Sequence, residues 1–400
     1  MYCWGRNATG VANPQDDILH GPSPIPALIS ALPPASQLDV SGSNACVVTN
    51  SEGLVCWGEK EISPGTYQAQ PAPFPIPGLE SGVASLSLNG QVCVVTTATD
   101  VLCGLQREFD LQPVCRDVSC LSTLTGVESV SASTLAACAV VDGGVKCWGE
   151  NLYGILGDGT TIDSIYPVDV CRTAAEAPSP CIEPLTGVQE VSVSDFHACA
   201  LMTGGTVYCW GSVPTVQFGQ VEGITNAVQG AAGSAHDCAL LSTGSVSCWG
   251  FNLSGQLGIG YTSWAETPTS VIGIPDTIVS IDVLGSQSCA VSQNGDVYCW
   301  GRNDQGQLGD GPSTVSTPQL FSGLSEDTDS DGVPDAVDAC PDEAGSATNG
   351  GCPFPPSIGG TVEILVTGVD ANGQSRTYLL ILALLVSAAA VVKLALAKRR

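Results

Sequence analysis

Cysteine pairs at a nearly constant spacing constrain this sequence more than any other feature. Six pairs stand nine or ten residues apart, and each brackets two short apolar runs separated by a polar turn. Apolar runs joined by a turn such as Asn294-Gly295 predict a β-hairpin. The six pairs are Cys46 with Cys56, Cys93 with Cys103, Cys138 with Cys147, Cys199 with Cys209, Cys238 with Cys248, and Cys289 with Cys299.

The spacing places the two cysteines of each pair opposite one another across the hairpin. Ten residues fit a three-residue turn, whereas the single spacing of nine, from Cys138 to Cys147, needs a two-residue turn. Asp142-Gly143 stands at that turn and is a preferred type I′ pair. Opposed residues at a non-hydrogen-bonded position lie ~4.5 Å apart at Cα, a distance that a disulfide can span. Zinc binding is the alternative, but the sequence has no Cys-x-x-Cys motif.

Three further local pairs are predicted in loops, which gives nine disulfides and requires an oxidising compartment. They are Cys115 with Cys120, Cys171 with Cys181, and Cys340 with Cys352.

Cys3 remains without a predicted partner. It lies in the motif Tyr2-Cys3-Trp4-Gly5, which is repeated at Tyr298-Cys299-Trp300-Gly301. Its partner would lie about ten residues upstream, and no export signal is present, so we expect that this chain lacks its natural N-terminus. The alternative is a free thiol without a role.

The hairpins recur along the chain as parts of a longer repeat. The second cysteines of the pairs, with Cys3, follow one another at intervals of 39 to 62 residues, and Trp-Gly follows most of them. A glycine-rich turn comes next, most clearly in Gly250–Gly260 and Gly301–Gly311, and nearly as clearly in Gly149–Gly159. Repeats of about this length with several short strands each predict a propeller or a solenoid. The 47 glycines and 26 prolines also disfavour a helical bundle.

These turns resemble the repeat of the regulator of chromosome condensation family, Gly-x-Asn-x-x-Gly-Gln-Leu-Gly-x-Gly, which later continues into a Val-Tyr-x-Trp-Gly strand. The resemblance implies an all-β fold, a seven-bladed β-propeller over residues 1–324. We expect its seventh blade to be shared between residues 299–324 and the N-terminus and to be incomplete. His197 and His236 match the family's His-x-x-Ala-Leu strand, so we interpret them as framework.

An acidic segment after the propeller follows the spacing of a calcium loop. Side-chain oxygens occupy positions 1, 3, 5, 9 and 12, glycine stands at position 6, and position 7 offers a backbone carbonyl. The predicted Ca²⁺ ligands are Asp327, Asp329, Asp331, Val333, Asp335 and Asp338. With the Cys-Pro that follows, residues 325–342 resemble a thrombospondin type 3 repeat, which binds Ca²⁺. A solvated acidic linker is the alternative.

The C-terminal part of the sequence predicts a membrane anchor. Residues 343–377 have the composition of a linker, residues 378–397 form an apolar stretch long enough to cross a bilayer core of ~30 Å, and residues 398–400 form a basic tail. The positive-inside rule places that tail in the cytoplasm and everything before it outside. Ile364-Leu-Val-Thr-Gly368 resembles a sortase sorting signal without its proline, so cleavage and attachment to a cell wall stay open.

Charge and motifs narrow the classes of function. The formal net charge is −27, and residues 1–370 hold all 39 acidic side chains. Such a surface repels phosphate backbones, which argues against nucleic-acid binding. The sequence has no nucleophile elbow, zinc-protease motif or phosphate loop, so we do not expect an enzyme.

These features together predict a cell-surface, single-pass membrane protein that binds an extracellular protein or glycan, as in adhesion. An inhibitor or regulator of another protein is the alternative, by similarity to secreted β-lactamase inhibitory propellers. Guanine-nucleotide exchange, which the family resemblance would suggest, conflicts with the disulfides, the acidity and the anchor.

Overall fold

The computed structural model describes most of the chain between residues 2 and 320, together with two short segments nearer the C-terminus. The described residues are 2–5, 23–28, 32–63, 65–172, 181, 183–212, 219–304, 308, 315–320, 367–369 and 375–377. Residues 2–5, 23–28, 367–369 and 375–377 are described by their backbone alone.

Six four-stranded antiparallel sheets follow one another along the chain, each with its strands in sequence order. Two short strands, β1 (Tyr2–Gly5) and β2 (Ser23–Leu28), pair with each other before the first blade. Blade 1 contains β3 (Ala35–Ser41), β4 (Asn44–Thr49), β5 (Leu54–Ser63) and β6 (Thr66–Pro75). Blade 2 contains β7 (Val83–Asn89), β8 (Gln91–Thr96), β9 (Val101–Leu105) and β10 (Gln112–Pro113). Blade 3 contains β11 (Val127–Ala132), β12 (Ala136–Val141), β13 (Gly144–Gly149) and β14 (Ser164–Asp169).

The remaining blades repeat this order. Blade 4 contains β15 (Val188–Val193), β16 (His197–Met202), β17 (Val207–Gly211) and β18 (Gly219–Gln220). Blade 5 contains β19 (Ala227–Ala232), β20 (His236–Leu241), β21 (Val246–Gly250) and β22 (Ala265–Ser270). Blade 6 contains β23 (Ile278–Leu284), β24 (Gln287–Ser292), β25 (Val297–Gly301) and β26 (Val315–Leu320). A separate pair, β27 (Thr367–Val369) and β28 (Ser375–Thr377), follows.

The composition of each strand matches its position in the blade. The second strand is covered on both faces, so β4, β12 and β24 are buried at every residue, and β12 is made wholly of small or β-branched apolar side chains. The first strand lines the centre of the ring and alternates buried with more exposed positions, as β11 does. A register irregularity near its start recurs in all six blades.

The blades are joined at the centre by side chains that bond to the backbone of the next first strand. Gln37 both donates to the carbonyl of Leu86 and accepts from its amide, at 2.7 and 3.0 Å. Gln229 bonds to Ile281 in the same way between blades 5 and 6. At the three junctions between blades 2 and 5, a backbone amide of the later blade donates to a serine hydroxyl of the earlier one. The serines are Ser87, Ser131 and Ser192. Leu284 of blade 6 packs against the core of blade 1, which includes Trp57, so the six blades form a ring.

The prediction of seven blades is therefore wrong, and so is the predicted sharing of residues 299–324 with the N-terminus. The Cys-Trp-Gly motif lies on the third strand of a blade. Cys299 in β25 therefore already belongs to a complete sheet, whose four strands follow one another in the sequence. Residues Val315–Leu320 complete that same sheet as β26. Cys3 lies in a two-stranded sheet, and counting the motif thus gives one blade too many.

The predicted C-terminal transmembrane helix is also not supported. The described residues form an all-β structure without a helix, and nothing in them has the length and apolar character needed to cross a bilayer. Residues 378–397 themselves lie outside the described residues.

Candidate binding face

The strand order decides which loops lie together at one end of the ring. Because successive strands are antiparallel, the turn from the first to the second strand and the connection from the third to the fourth lie at the same end. We call this end the front face. The opposite end, the back face, carries the second-to-third turns and the connections between blades.

The front face contains a cavity of ≈ 590 Å³ at the mouth of the central channel. Its floor is made by the first-to-second turns of all six blades, and most of these residues are small. The floor residues are Ser41, Gly42, Asn89, Gly90, Thr134, Ser194, Asp195, Gly233, Ser234, Leu284 and Gly285. Thr134 donates its backbone amide to the Asp195 carboxylate at 2.9 Å, which joins two of the turns.

One side of the mouth has a wall that no other blade forms within the described residues. The β5–β6 hairpin has ten residues in each strand, whereas the third strands of the other blades have five or six. Its Glu61 amide donates to the carbonyl of Arg107 at 2.7 Å, and the Arg107 guanidinium pairs with Glu59 at 2.7 Å. The same guanidinium lies 5.1 Å from the ring centroid of Tyr67. Blades 1 and 2 thus build an ordered wall from a carboxylate, an arginine and an aromatic ring.

The glycine-rich turns are the framework of the other front-face loops. The buried side chains of Asn151 and Asn252 accept the amides five residues later and donate to carbonyls across the loop. Trp300 of blade 6 donates its indole N–H to the carbonyl of Gln256 at 2.8 Å, and Trp210 bonds to Ile155 in the same way. Each such turn is therefore fixed to the next blade.

Every exposed aromatic side chain of the described residues lies on the front face. They are Tyr67, Tyr153, Phe196, Phe251, Tyr261 and Trp264. Tyr153 and Phe196 pack edge to face across blades 3 and 4, with ring centroids 5.1 Å apart. Exposed aliphatic residues accompany them, among them Leu105, Leu152 and Leu253. The back face exposes Val118, Leu121 and Ile272 but no aromatic ring within the described residues.

The front face is also acidic. Among its described residues ten acidic side chains stand against three basic ones. The acidic residues are Glu59, Glu61, Glu108, Asp110, Glu150, Asp158, Asp163, Asp195, Glu266 and Asp304, and the basic ones are Lys60, Arg107 and Arg302. The excess of negative charge favours a positively charged partner.

The buried histidines connect neighbouring blades and form no catalytic group. His197 Nε2 lies 2.7 Å from Asp237 of blade 5, and His236 Nε2 lies 2.9 Å from the Ser288 hydroxyl of blade 6. Burial lowers the pKa of His236 to about 4. His197, Asp237 and Cys199 lie close enough to suggest a metal site, but Cys199 is bonded to Cys209 and offers no thiolate. We therefore assign these residues to the framework.

Six of the predicted disulfides are formed, one in each blade. Each joins directly opposed residues of the second and third strands, with Cα atoms 4.0 to 4.2 Å apart. The turn at Asp142-Gly143 has φ of 52° and 69°, as the predicted type I′ turn requires. From blade 1 to blade 6 the bonds join Cys46 to Cys56, Cys93 to Cys103, Cys138 to Cys147, Cys199 to Cys209, Cys238 to Cys248, and Cys289 to Cys299.

Two further predicted disulfides lie in connections between blades, at the back face. Cys115 is bonded to Cys120, and Cys171 is bonded to Cys181. Eight of the nine predicted pairs thus fall in the described residues, and all eight are formed.

The predicted calcium loop and the last cysteine pair are not covered. Asp327, Asp329, Asp331, Val333, Asp335 and Asp338 lie outside the described residues, as do Cys340 and Cys352. Sequence reasoning did not find the wall at Tyr67 and Arg107. Its only trace in the sequence is the absence of a glycine-rich turn after Gly58.

Comparison with known proteins agrees with this architecture. Residues 188–212 and 227–256 match one model of the regulator of chromosome condensation (RCC1) repeat, and residues 294–331 match another. The chain contains RCC1 repeats. The matched residues include the first three strands of blades 4 and 5 and the last two strands of blade 6.

Curated relatives share the repeats over part of their length. The human E3 ubiquitin-protein ligase HERC2 is 27% identical over 304 residues, which is 71% of this chain and 5% of that protein. The Arabidopsis thaliana ultraviolet-B receptor UVR8 is 25% identical over 218 residues, which is 50% of this chain and 47% of that protein. This chain thus spans a small part of HERC2 and about half of UVR8.

Solved structures share the fold. Prp20p from Saccharomyces cerevisiae, 17% identical, superimposes with a TM-score of 0.64 over 82% of this chain and 86% of that chain. Human WBSCR16, 16% identical, gives a TM-score of 0.62 over 79% of this chain and 92% of that chain. Identities this low support the propeller fold alone.

Proposed function

We propose that this protein is a binding protein of an oxidising compartment that recognises another polypeptide through its front face. The observation that carries the proposal is the placement of all six exposed aromatic side chains of the described residues on that face. Aromatic residues are enriched among those that dominate binding energy, and an exposed apolar set rimmed by charge is typical of an interaction site.

The disulfides support an oxidising compartment. Eight of them fall within the described residues, six of them one per blade, and such a set persists only where thiols are oxidised. A cell-surface or secreted protein meets this condition. A role in protein recognition has a parallel on the same fold, since Prp20p binds Gsp1p and histones, and that binding is a property of Prp20p.

A polypeptide fits the face better than a glycan does. The apolar and aromatic positions are spread over blades 1 to 5, as a broad protein interface requires, whereas small-ligand sites concentrate their polar groups in one pocket. The floor of the mouth is a ring of small turn residues rather than a set of converging side chains.

Site-specific photo-crosslinking tests the proposal. A photoreactive amino acid at the exposed positions Leu152 or Leu253 on the front face should cross-link this protein to one discrete partner protein. An excess of the same protein without the photoreactive group should suppress the cross-link by competition. The matched positions Leu121 and Ile272 on the back face serve as controls. Saturable cross-links from the back face alone would contradict the proposed binding face.

A further inference from the structure

We infer that the front face binds a polypeptide segment rich in arginine or lysine, held by aromatic rings and carboxylates together. The inference rests on the proposed function and adds the chemistry of the partner. Aromatic rings attract cations through their faces, and carboxylates attract them by charge. Both features of this face therefore select the same kind of side chain.

The protein itself shows how such a side chain is held. Arg107 stands at the mouth with Glu59 at 2.7 Å and the Tyr67 ring at 5.1 Å, and its side chain remains 44% exposed. In the same hairpin, the Lys60 ammonium lies 4.8 Å from the ring centroid of Phe74. A cation from a partner would meet the same combination of groups elsewhere on the face.

Three other exposed rings of the front face also stand within three residues of an acidic residue in the sequence. Phe196 follows Asp195 directly, Tyr153 stands three residues after Glu150, and Trp264 stands two residues before Glu266. Glu108, Glu150 and Glu266 are all exposed. Their charges are thus available to a partner.

Charge alone does not select the front face, because the back face is acidic as well. Its exposed residues include Glu80, Glu183 and Glu222, which lie in the connections between blades. What distinguishes the front face is the aromatic set, so the inference requires rings and carboxylates to act together. This difference supplies a matched control.

The test uses fluorescent dodecapeptides in which Arg, Lys, Gln or Glu alternates with Gly and Ser, titrated with the whole chain and followed by anisotropy. The Arg peptide should bind, the Lys peptide more weakly, and the Gln and Glu peptides at least tenfold more weakly. Fourfold more salt should weaken the Arg complex several-fold, because ion pairs are screened.

Two sets of variants then locate the site. The triple change Glu108→Lys, Glu150→Lys, Glu266→Lys should weaken the Arg complex tenfold or more, and Glu80→Lys, Glu183→Lys, Glu222→Lys, which alters net charge equally, should change it less than threefold. Replacing the rings by Tyr67→Ser, Phe251→Ser, Trp264→Ser leaves the charge unchanged and should also weaken binding at least fivefold. Circular dichroism of each variant checks that the propeller is intact.

Each contrary result has a definite meaning. Equal losses in the two charge triples, or no loss on removing the rings, would overturn the inference, since binding would then be long-range attraction by an acidic protein. Preference for the Glu or Gln peptide would overturn it as well. If the front-face cross-links persist while the Arg peptide fails to bind, the inference is wrong and the proposed function stands.

Discussion

Replacement of Gly258 by alanine probes the contact by which one blade holds the next. Gly258 has φ of +68°, and a methyl group there would lie 2.7 Å from Nε1 and 3.0 Å from Cδ1 of Trp300. That indole is fully buried and donates to the carbonyl of Gln256 at 2.8 Å. Alanine must therefore displace the tryptophan, the turn, or both.

The expected cost has three parts. A non-glycine residue in the left-handed region costs about 1–2 kcal/mol. Overpacking a filled site costs roughly 1–3 kcal/mol, and loss of the indole hydrogen bond costs about 1 kcal/mol. We therefore expect Gly258→Ala to lower the free energy of unfolding by about 3–6 kcal/mol. Gly273→Ala is the matched control, because Gly273 has φ of +86° but open space around the added methyl. It should lose only the strain, about 1–2 kcal/mol.

Urea titration under non-reducing conditions, followed by tryptophan fluorescence and by circular dichroism, measures the difference. Coincidence of the two curves is needed before free energies are compared, because repeat proteins can unfold in steps. If the two variants prove equally unstable, the glycine serves only the backbone conformation, and the proposed contact between the turn of blade 5 and the tryptophan of blade 6 is refuted.

Three further predictions concern titration, redox state and metal. Burial lowers the pKa of His236 from 6.5 to about 4 in the folded protein, so below pH 6.5 the unfolded state binds a proton that the folded state does not. The contribution of His236 to the free energy of unfolding should therefore be fully present above pH 6.5, and that free energy should fall by about 3 kcal/mol as the pH drops from 6.5 to 4. His236→Gln, which places in blade 5 the residue that blade 6 has at Gln287, should flatten that part of the pH profile, and an unchanged profile would contradict the assignment. Non-reducing mass spectrometry should recover Cys46 linked to Cys56, and the five counterparts of this pair likewise, whereas alkylation of these cysteines without prior reduction would refute the oxidising compartment. Calorimetric titration of the whole chain with Ca²⁺ should show binding that Asp327→Asn, Asp331→Asn abolishes, and binding heat that survives these changes would refute the predicted loop.

Local features were predictable from the sequence because they depend on residues close together in the chain. The disulfide hairpins follow from a spacing of nine or ten residues and from strand geometry. The turn at Asp142-Gly143 was predicted correctly down to its type for the same reason. The framework role of His197 and His236 also followed from their place in the repeat, although their partners, Asp237 and Ser288, lie 40 and 52 residues away and could not be named.

The number of blades and the binding face were decided only by the tertiary structure. Counting Cys-Trp-Gly motifs predicted seven blades. The motif marks a third strand, but it does not show whether the other three strands of a blade are present to form a sheet with it. The mouth of the channel gathers turns from all six blades, and its wall depends on Glu59, Tyr67 and Arg107, which meet only when blades 1 and 2 pack together. A sequence repeat specifies what each blade is made of, whereas closure of the ring determines how many blades there are and which loops become neighbours.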